Sequence, residues 1–377
     1  MHVSDVKPIA CREGGDEPMT TTNAGSRSHD GGRQVHDPAA VRLVEITLWF
    51  WIGQAVGAFA RLGVADAFGD QHRTVDDLAA RTDCEPQGLL RLLRSLTGVG
   101  VVREVSPGLF ALGELGQHLR TDHPQSMRDL AVLQSEPWMW RVFEQLPHAV
   151  STGATPIKNV LGTDYYWNWL HQQPEERRVF DAGMVSVAKA LQIPTALSYD
   201  YRDVHRIVDV GGGLGQVLSA ILTANPHISG TLFDQPSTVA DAQRTLADAG
   251  LADRCSVEGG DMFQAVPDGS DTYLLSFVLM DWDDEHAVQL LSNVAAVLPA
   301  HGRVLVLDCL ADHDTDTGPS GHPFHMGRTV DLFQMCMGSA RVRTRAEFED
   351  LYARAGLRLQ ALHLPQAPVT LMQLAPA

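Results

Sequence analysis

The chain has 377 residues, enough for two domains, with 44% hydrophobic and 7% aromatic residues, which suits a well-buried globular protein rather than a disordered or fibrous one. A formal net charge of −17 repels polyanions, so nucleic acid is not an expected partner. The five cysteines, Cys11, Cys84, Cys255, Cys309 and Cys336, are odd in number and scattered, which argues against a disulfide framework or a zinc site and for reduced thiols in the cytoplasm.

Residues 1-35 are rich in Gly, Asp, Ser and Thr, lack an apolar run long enough for a signal peptide, and read as a disordered leader. The run "LVEITLWFWIGQAVGAFARLGV" includes Glu45, Gln54 and Arg61 and is apolar with helical periodicity. It predicts a buried helix with Trp49, Phe50 and Trp51 on a packing surface, and no membrane span. Within 36-125, Thr74 precedes "VDDLAARTD", Glu85 and Pro86 open "QGLLRLLRSLTGVGVV", and "REVSPGLFALGE" reads as two strands about Ser106-Pro107-Gly108. Three helices and a wing form a winged-helix-like domain. DNA binding is one reading of it, but Arg91 and Arg94 are the only basic residues on the supposed recognition helix, so a packing or dimerisation module is the better one.

Residues 126-200 read as a helical connector in which Trp138, Trp140, Phe143, Tyr165, Tyr166, Trp167 and Trp169 gather. Such side chains build either core or a wall for a flat apolar ligand. Over 201-377 strands and helices alternate, from "RIVDVGG" to "GRVLVLDCL". Alternation of this kind predicts a Rossmann-like α/β domain with a parallel sheet and ligands at the strands' carboxyl ends.

"VDVGGGLGQ" supplies the chemistry. Gly211, Gly213 and Gly215 follow an apolar strand and open a helix, so backbone can approach a ligand with no Cβ in the way. Asp209 lies two residues before the first glycine, Asp234 closes the second strand where it can accept ribose hydroxyls, and "GGDMF" places Asp261 and Met262 for an adenine amine and ring face. A dinucleotide site is the competing reading. It normally carries G-x-G-x-x-G under a pyrophosphate; the Gly-x-Gly-x-Gly spacing here, with an acid suited to a cationic amino-acid moiety, fits S-adenosylmethionine better.

In order and spacing, "DVGGGLGQ", "LFDQP", "GGDMF", "VLMDWDDEH" and "RVRTRAEFEDLYARAGL" resemble the class I S-adenosylmethionine-dependent methyltransferases of the plant caffeate and bacterial polyketide O-methyltransferase type, over about residues 40 to 375. The resemblance implies a homodimer interlocked through the N-terminal domain, and an aromatic or polycyclic substrate of specialised, antibiotic-like metabolism. Carried onto this sequence, it places Gly211 and Gly213 at the cofactor's amino-acid part, Asp234 with neighbouring Gln235 at its ribose, and Asp261 and Met262 at its adenine. Ser276 falls where the family often has a lysine near the cofactor. The helix "RTVDLFQMCMG" would line the substrate pocket through Val330, Phe333, Gln334 and Met337, or simply be amphipathic core; Tyr165, Met184, Phe277 and Met280 complete the expected substrate contacts.

At Met280 the sequence leaves the family pattern. There the strand runs into His-Asp-Trp, whose histidine is the general base; here it runs into Met280-Asp281-Trp282. A supporting glutamate before an Arg-Thr pair is replaced by Val342, while Asp308 keeps an acid at the other supporting place. General-base help is worth about 10²–10⁴-fold, so three readings arise. Carbon or nitrogen methylation needing little base is favoured over oxygen methylation with another base; the third is use of the cofactor without methyl transfer, in a hydroxylation, decarboxylation or rearrangement. Substitute catalytic residues are Asp281, His325 or His322 before the pocket helix, and Tyr165 or Asp164 for orientation. No metal-ligand pair stands out, and direct displacement needs none. A winged-helix regulator that senses a ligand is the alternative of another class.

Overall fold

The computed structural model describes residues 37–312, 325–338, 340–363 and 368–377; the leader, Cys11 and His322 lie outside them. Among the described residues, those up to Leu48 form one unit and those from Trp49 onward a second, and the core and site described below belong to the second.

The predicted winged helix forms. Thr74 caps the helix Val75–Thr82 by accepting from the Asp77 amide, and Glu85 caps Pro86–Thr97 through the Gln87 and Gly88 amides. The wing pairs β1 (Arg73–Thr74), β2 (Val102–Ser106) and β3 (Leu109–Leu112) in the order β1-β3-β2. Its core gathers Phe59, Phe68, Leu78, Leu93, Leu96 and Phe110.

The first helix, Pro38–Arg61, departs from expectation. Only Gly57, Phe59 and Ala60 are buried, whereas Trp49, Phe50 and Trp51 are 51%, 48% and 65% exposed. The chain's own core takes up the helix's C-terminal end, so its aromatic packing surface faces outward. It is also the single helix among the described residues that is long and apolar enough, by length and composition, to cross a membrane.

From Tyr201 the expected alternation builds one sheet of β4 (Arg206–Val210), β5 (Ser229–Asp234), β6 (Cys255–Gly259), β7 (Thr272–Ser276), β8 (Arg303–Asp308), β9 (Leu357–His363) and β10 (Thr370–Pro376). Their order is β6-β5-β4-β7-β8-β10-β9. β4 to β8 pair in parallel, and β10 runs antiparallel to β8 and β9. Strands buried on both faces read as continuous apolar runs. In β4 and β8 successive side chains alternate between two cores: Ile207, Leu305 and Leu307 pack with Leu218 and Leu232, while Val208, Val210, Val304 and Val306 pack with Leu290 and Leu291.

The chain leaves β4 toward β5 and β6 on one side and returns to β7 on the other, so strand order reverses between β4 and β7. A crevice opens at such a switch point. β7 ends at Ser276, three residues earlier than the run "TYLLSFVL" suggests, because Phe277 takes φ +56 and diverts the chain into a tight turn, Leu279–Asp281.

Candidate active site

Backbone conformation shapes the first half of the site. Gly211 and Gly213 adopt φ +71 and +56 between β4 and the helix Gln216–Ala224, a region that disfavours side chains with a Cβ. A Cβ on Gly213 would meet nothing within 4 Å, so this edge of the loop faces open space. Asp234, at the end of β5, accepts from the Gly213 amide at 2.8 Å and the Gln235 amide at 2.7 Å, which ties the glycine loop to the second strand. Asp261 caps its own turn by accepting from the Phe263 amide at 2.9 Å. The carbonyls of Met262 and Phe263 accept from Asn293 and Gln289. Burial, and then the charge of Asp234, push the Asp209 carboxyl up to about 7.

These groups line one end of a cavity of about 1180 Å³, larger than the roughly 300–1,000 Å³ of a usual single-ligand pocket. Helices build the rest of the wall. Arg177, Phe180, Asp181 and Met184, at i, i+3, i+4 and i+7 of the helix Pro174–Val187, share its inward face. A π-helical turn, Ala188–Gln192, continues it with Ala188 and Gln192 in the wall; such turns gather at functional sites. Val330, Phe333 and Gln334 enter from the helix Met326–Met337, and Phe143, Tyr166 and Trp167 from the connector.

The turn between the halves carries Met280 and Asp281. Met280 is nearly buried and lines the cavity. The fully buried Arg343 holds the turn from behind, donating to the carbonyls of Leu279 and Trp282 at 2.7 Å each and to Asp284 at 2.9 Å. Asp281 accepts from Gln334 Nε2 at 2.9 Å and bonds the side chains of Tyr166 and Trp167; burial outweighs these donors and pushes its carboxyl up to about 7. Behind Met280, Asp308 is fully buried. It accepts from the Cys309 amide at 2.8 Å and from the Met280 amide, and burial pushes it up to about 8. Its Oδ2 has no partner among the described residues.

Most predicted site residues meet in this one cavity: Asp209, Gly211, Gly213, Asp234, Gln235, Asp261, Met262 and Ser276 at one end, and Met184, Phe277, Met280, Asp281, Val330, Phe333 and Gln334 at the other. Three do not line it. Tyr165 turns outward, its hydroxyl donating to Asp283 at 3.4 Å and its ring against Trp282; its neighbour Tyr166 supplies the wall. His325 caps the pocket helix, its Nδ1 accepting from the Arg328 amide. Met337 packs into the connector core. The acids after the turn start a helix as expected, with Asp283 as its cap. Sequence reading missed Arg177, Asp181 and His171, which meet Asp234 at the cofactor end: Arg177 donates to Asp181 at 3.0 Å and to Thr238 at 3.1 Å, and burial followed by Arg177 lowers His171. The helical spacing of Arg177, Phe180, Asp181 and Met184 was the available signal.

An O-methyltransferase domain family matches residues 143–358, more than half of the chain, and an O-methyltransferase dimerisation domain matches residues 44–122. The chain belongs to this O-methyltransferase family. The dimerisation match includes most of the helix whose tryptophans face outward. A phenazine O-methyltransferase of Lysobacter antibioticus is 34% identical over 330 residues, covering 88% of this chain and 94% of that protein. An 8-amino-8-demethylriboflavin N,N-dimethyltransferase of Streptomyces davaonensis is 34% identical over 329 residues, 86% and 92% of the two chains. An aclacinomycin 10-hydroxylase of Streptomyces purpurascens is 38% identical over 291 residues, 76% of each.

Among solved structures, an O-methyltransferase from neocarzinostatin biosynthesis, in complex with S-adenosyl-L-homocysteine and 1,4-dihydroxy-2-naphthoic acid, matches with a TM-score of 0.69 and 31% identity. The match covers 93% of this chain and all of that one. S-adenosylmethionine is therefore this family member's cofactor, and the residues present fit it. The glycine loop is open where a Cβ on Gly213 would stand, and Ser276 and Asp209, both in the cavity wall, each carry a buried oxygen, Oγ and Oδ1, with no partner among the described residues.

Proposed function

We propose that the protein transfers the methyl group of S-adenosylmethionine to a carbon or nitrogen of a flat aromatic or polycyclic acceptor in natural-product biosynthesis, without a histidine base. One observation carries this. The residue between the cofactor end and the acceptor end is the thioether Met280, and among the described residues the only histidine lining the cavity, His171, stands with Arg177 and Asp181 at the cofactor end. The bound cofactor supplies an electrophilic methyl on a positive sulfur. The chain's part is to hold Gly211, Gly213, Asp234, Asp261 and Met262 around it. Phe143, Phe180, Met184 and Phe333 then keep an acceptor desolvated and in line, which substitutes for much of the entropy of encounter. Phe277, at positive φ between Ser276 and Met280, is backbone strain at the junction of the two subsites, where such strain concentrates.

The exposed Trp49, Phe50 and Trp51 within the dimerisation-domain match support a homodimer, and the biosynthetic relatives favour the cytoplasm as its location. Sedimentation of the protein as a monomer at micromolar concentration would count against that part.

The test uses methyl-labelled cofactor with matched aromatic amine, electron-rich carbon and phenol acceptors. Label on amine or carbon, with little on phenol at neutral pH, is expected; rapid phenol labelling overturns the reading. A second reading, cofactor use without methyl transfer, is favoured by the missing base together with the hydroxylase relative. It predicts acceptor conversion with no S-adenosylhomocysteine formed.

A further inference from the structure

Gln334 is 2% exposed and lines the acceptor end of the cavity, yet its Oε1 has no partner among the described residues. The amide's orientation is set by Asp281, whose Oδ1 accepts from Nε2 at 2.9 Å. With Asp281 ionised, flipping the amide would put oxygen against oxygen, so Oε1 is the atom left over. Asp281 offers a second acceptor beside it. Gln334, Tyr166 and Trp167 occupy three of the roughly four lone-pair sites of a carboxylate. Met280, Phe333, Val330 and Phe180 beside them are apolar, and Gln134, Gln192 and Thr329 are further polar side chains of the cavity wall. Two adjacent acceptors beside apolar side chains, one of them buried and unmatched, cost stability unless a ligand brings hydrogens to them.

We propose that Gln334 Oε1 and Asp281 form a two-acceptor subsite that recognises an N–H donor group of the acceptor, an aromatic primary amine or an amino-substituted heterocycle. This rests on the methyltransferase reading above and narrows it. A primary amine carries two hydrogens and can satisfy both oxygens; a hydroxyl carries one and leaves an oxygen bare; a hydrocarbon satisfies neither. When the amine is also the methylated atom, its lone pair forms the new N–C bond as the S–C bond breaks with its electron pair passing to sulfur. The surplus N–H proton then leaves through Asp281 to solvent.

Binding tests this without turnover. With S-adenosylhomocysteine at saturation, 1-naphthylamine, 1-naphthol and naphthalene are titrated by calorimetry or by quenching of protein fluorescence. The amine should bind about tenfold or more tighter than naphthalene, with naphthol between them. Gln334→Leu should collapse the amine to the hydrocarbon's affinity while leaving naphthalene unchanged or tighter. Gln334→Glu, whose carboxyl shares one proton with Asp281 and keeps its other oxygen free, should retain preference for the amine. The proposal is overturned if the three bind alike, if naphthol binds as tightly as the amine, or if the amine preference survives in Gln334→Leu. Methyl transfer measured on the same probes separates the two levels. Amine preference without any transfer sinks the methyltransferase reading and keeps the subsite; transfer without amine preference does the reverse.

Discussion

Met280→His is the substitution that most directly tests the proposal that this site works without a histidine base. The new imidazole would stand at a nearly buried position on the cavity wall, in front of Asp308, whose Oδ2 is unpartnered and whose carboxyl already takes the residue-280 amide. Losing the buried thioether costs about 1.5–3 kcal/mol of apolar burial. A hydrogen bond from the imidazole to the Asp308 carboxyl, a charged acceptor once paired, returns about 1.5–3 kcal/mol. The two nearly cancel, so the variant should fold with a melting midpoint close to that of the parent. Activity should not cancel: a positioned base contributes about 10²–10⁴-fold toward a phenol near neutral pH.

Pairing with a carboxylate raises an imidazole, so phenol activity should climb as pH rises through the imidazole's range and then level. A primary amine, which needs no prior deprotonation, should gain little. The assay is initial-rate transfer of labelled methyl to 1-naphthol and 1-naphthylamine in Met280→His, and in Met280→His combined with Asp308→Asn. A folded Met280→His variant with no phenol gain would refute the reasoning. So would a gain that persists unchanged when Asp308 becomes Asn, since the orphaned acid would then have no part in it.

The buried carboxyls make stability pH-dependent in an unusual direction. Asp209, Asp281 and Asp308 are pushed up to about 7, 7 and 8 in the folded chain against about 3.9 unfolded, so the native state binds more protons through that window and stability falls as pH rises from about 4 to about 8. Thermal melts of the cofactor-free protein should show a higher midpoint near pH 5.5 than near pH 8, with a shallower slope in Asp308→Asn; a rising midpoint would contradict the burial of these acids. Asp234→Ala removes the acceptor for the Gly213 amide and for the ribose, and should weaken S-adenosylhomocysteine binding by about 10²-fold in calorimetry, with unchanged circular dichroism. Arg343→Met leaves the Leu279 and Trp282 carbonyls without their donor and Asp284 without its buried cation. Asp284 keeps Arg341 as a partner, so the cost is mainly the two unpaired carbonyls, about 1–3 kcal/mol each, readable as a shift in a urea unfolding curve.

What the sequence made legible follows from how local the governing physics is. Caps at Thr74 and Glu85, the glycine loop and the acids ending β5 and following β6 are set by residues within a few positions of one another, and each appears where its spacing places it. The strand pair β9 and β10 was not anticipated. The sequence between them carries Pro365 and Pro368, and β10 pairs with β9 on one side and, on the other, with β8 some sixty residues earlier. Such a contact leaves little local periodicity to read. Trp49 to Trp51 misled for a related reason: periodicity reports that a face is apolar and says nothing about which chain covers it. Tyr165 and Tyr166 are adjacent and chemically alike, and only the onset of the helix Tyr166–Leu170 decides which of them turns inward. Arg177 and Asp181 were hidden because an ion pair at i, i+4 looks like ordinary helix-surface decoration until another element packs against it.

Met280 and Asp281 are best understood together, through where charge goes when methyl leaves sulfur. A phenolate approaching a sulfonium ends as two neutral species, so a carboxylate beside the acceptor opposes the reactant's charge and gains nothing at the end. A neutral amine ends as a cation, so positive charge moves from sulfur onto nitrogen. Ionised Asp281 would stabilise that arrival under the proposed nitrogen transfer: two unit charges about 4 Å apart at an effective dielectric near 20 attract by about 4 kcal/mol. A histidine at position 280 would help the first case by removing a proton and hinder the second by becoming a cation itself. An inert, polarisable Met280 next to a carboxylate held by Gln334, Tyr166 and Trp167 is therefore a coherent pair for nitrogen. The same pair would be a poor one for a phenol.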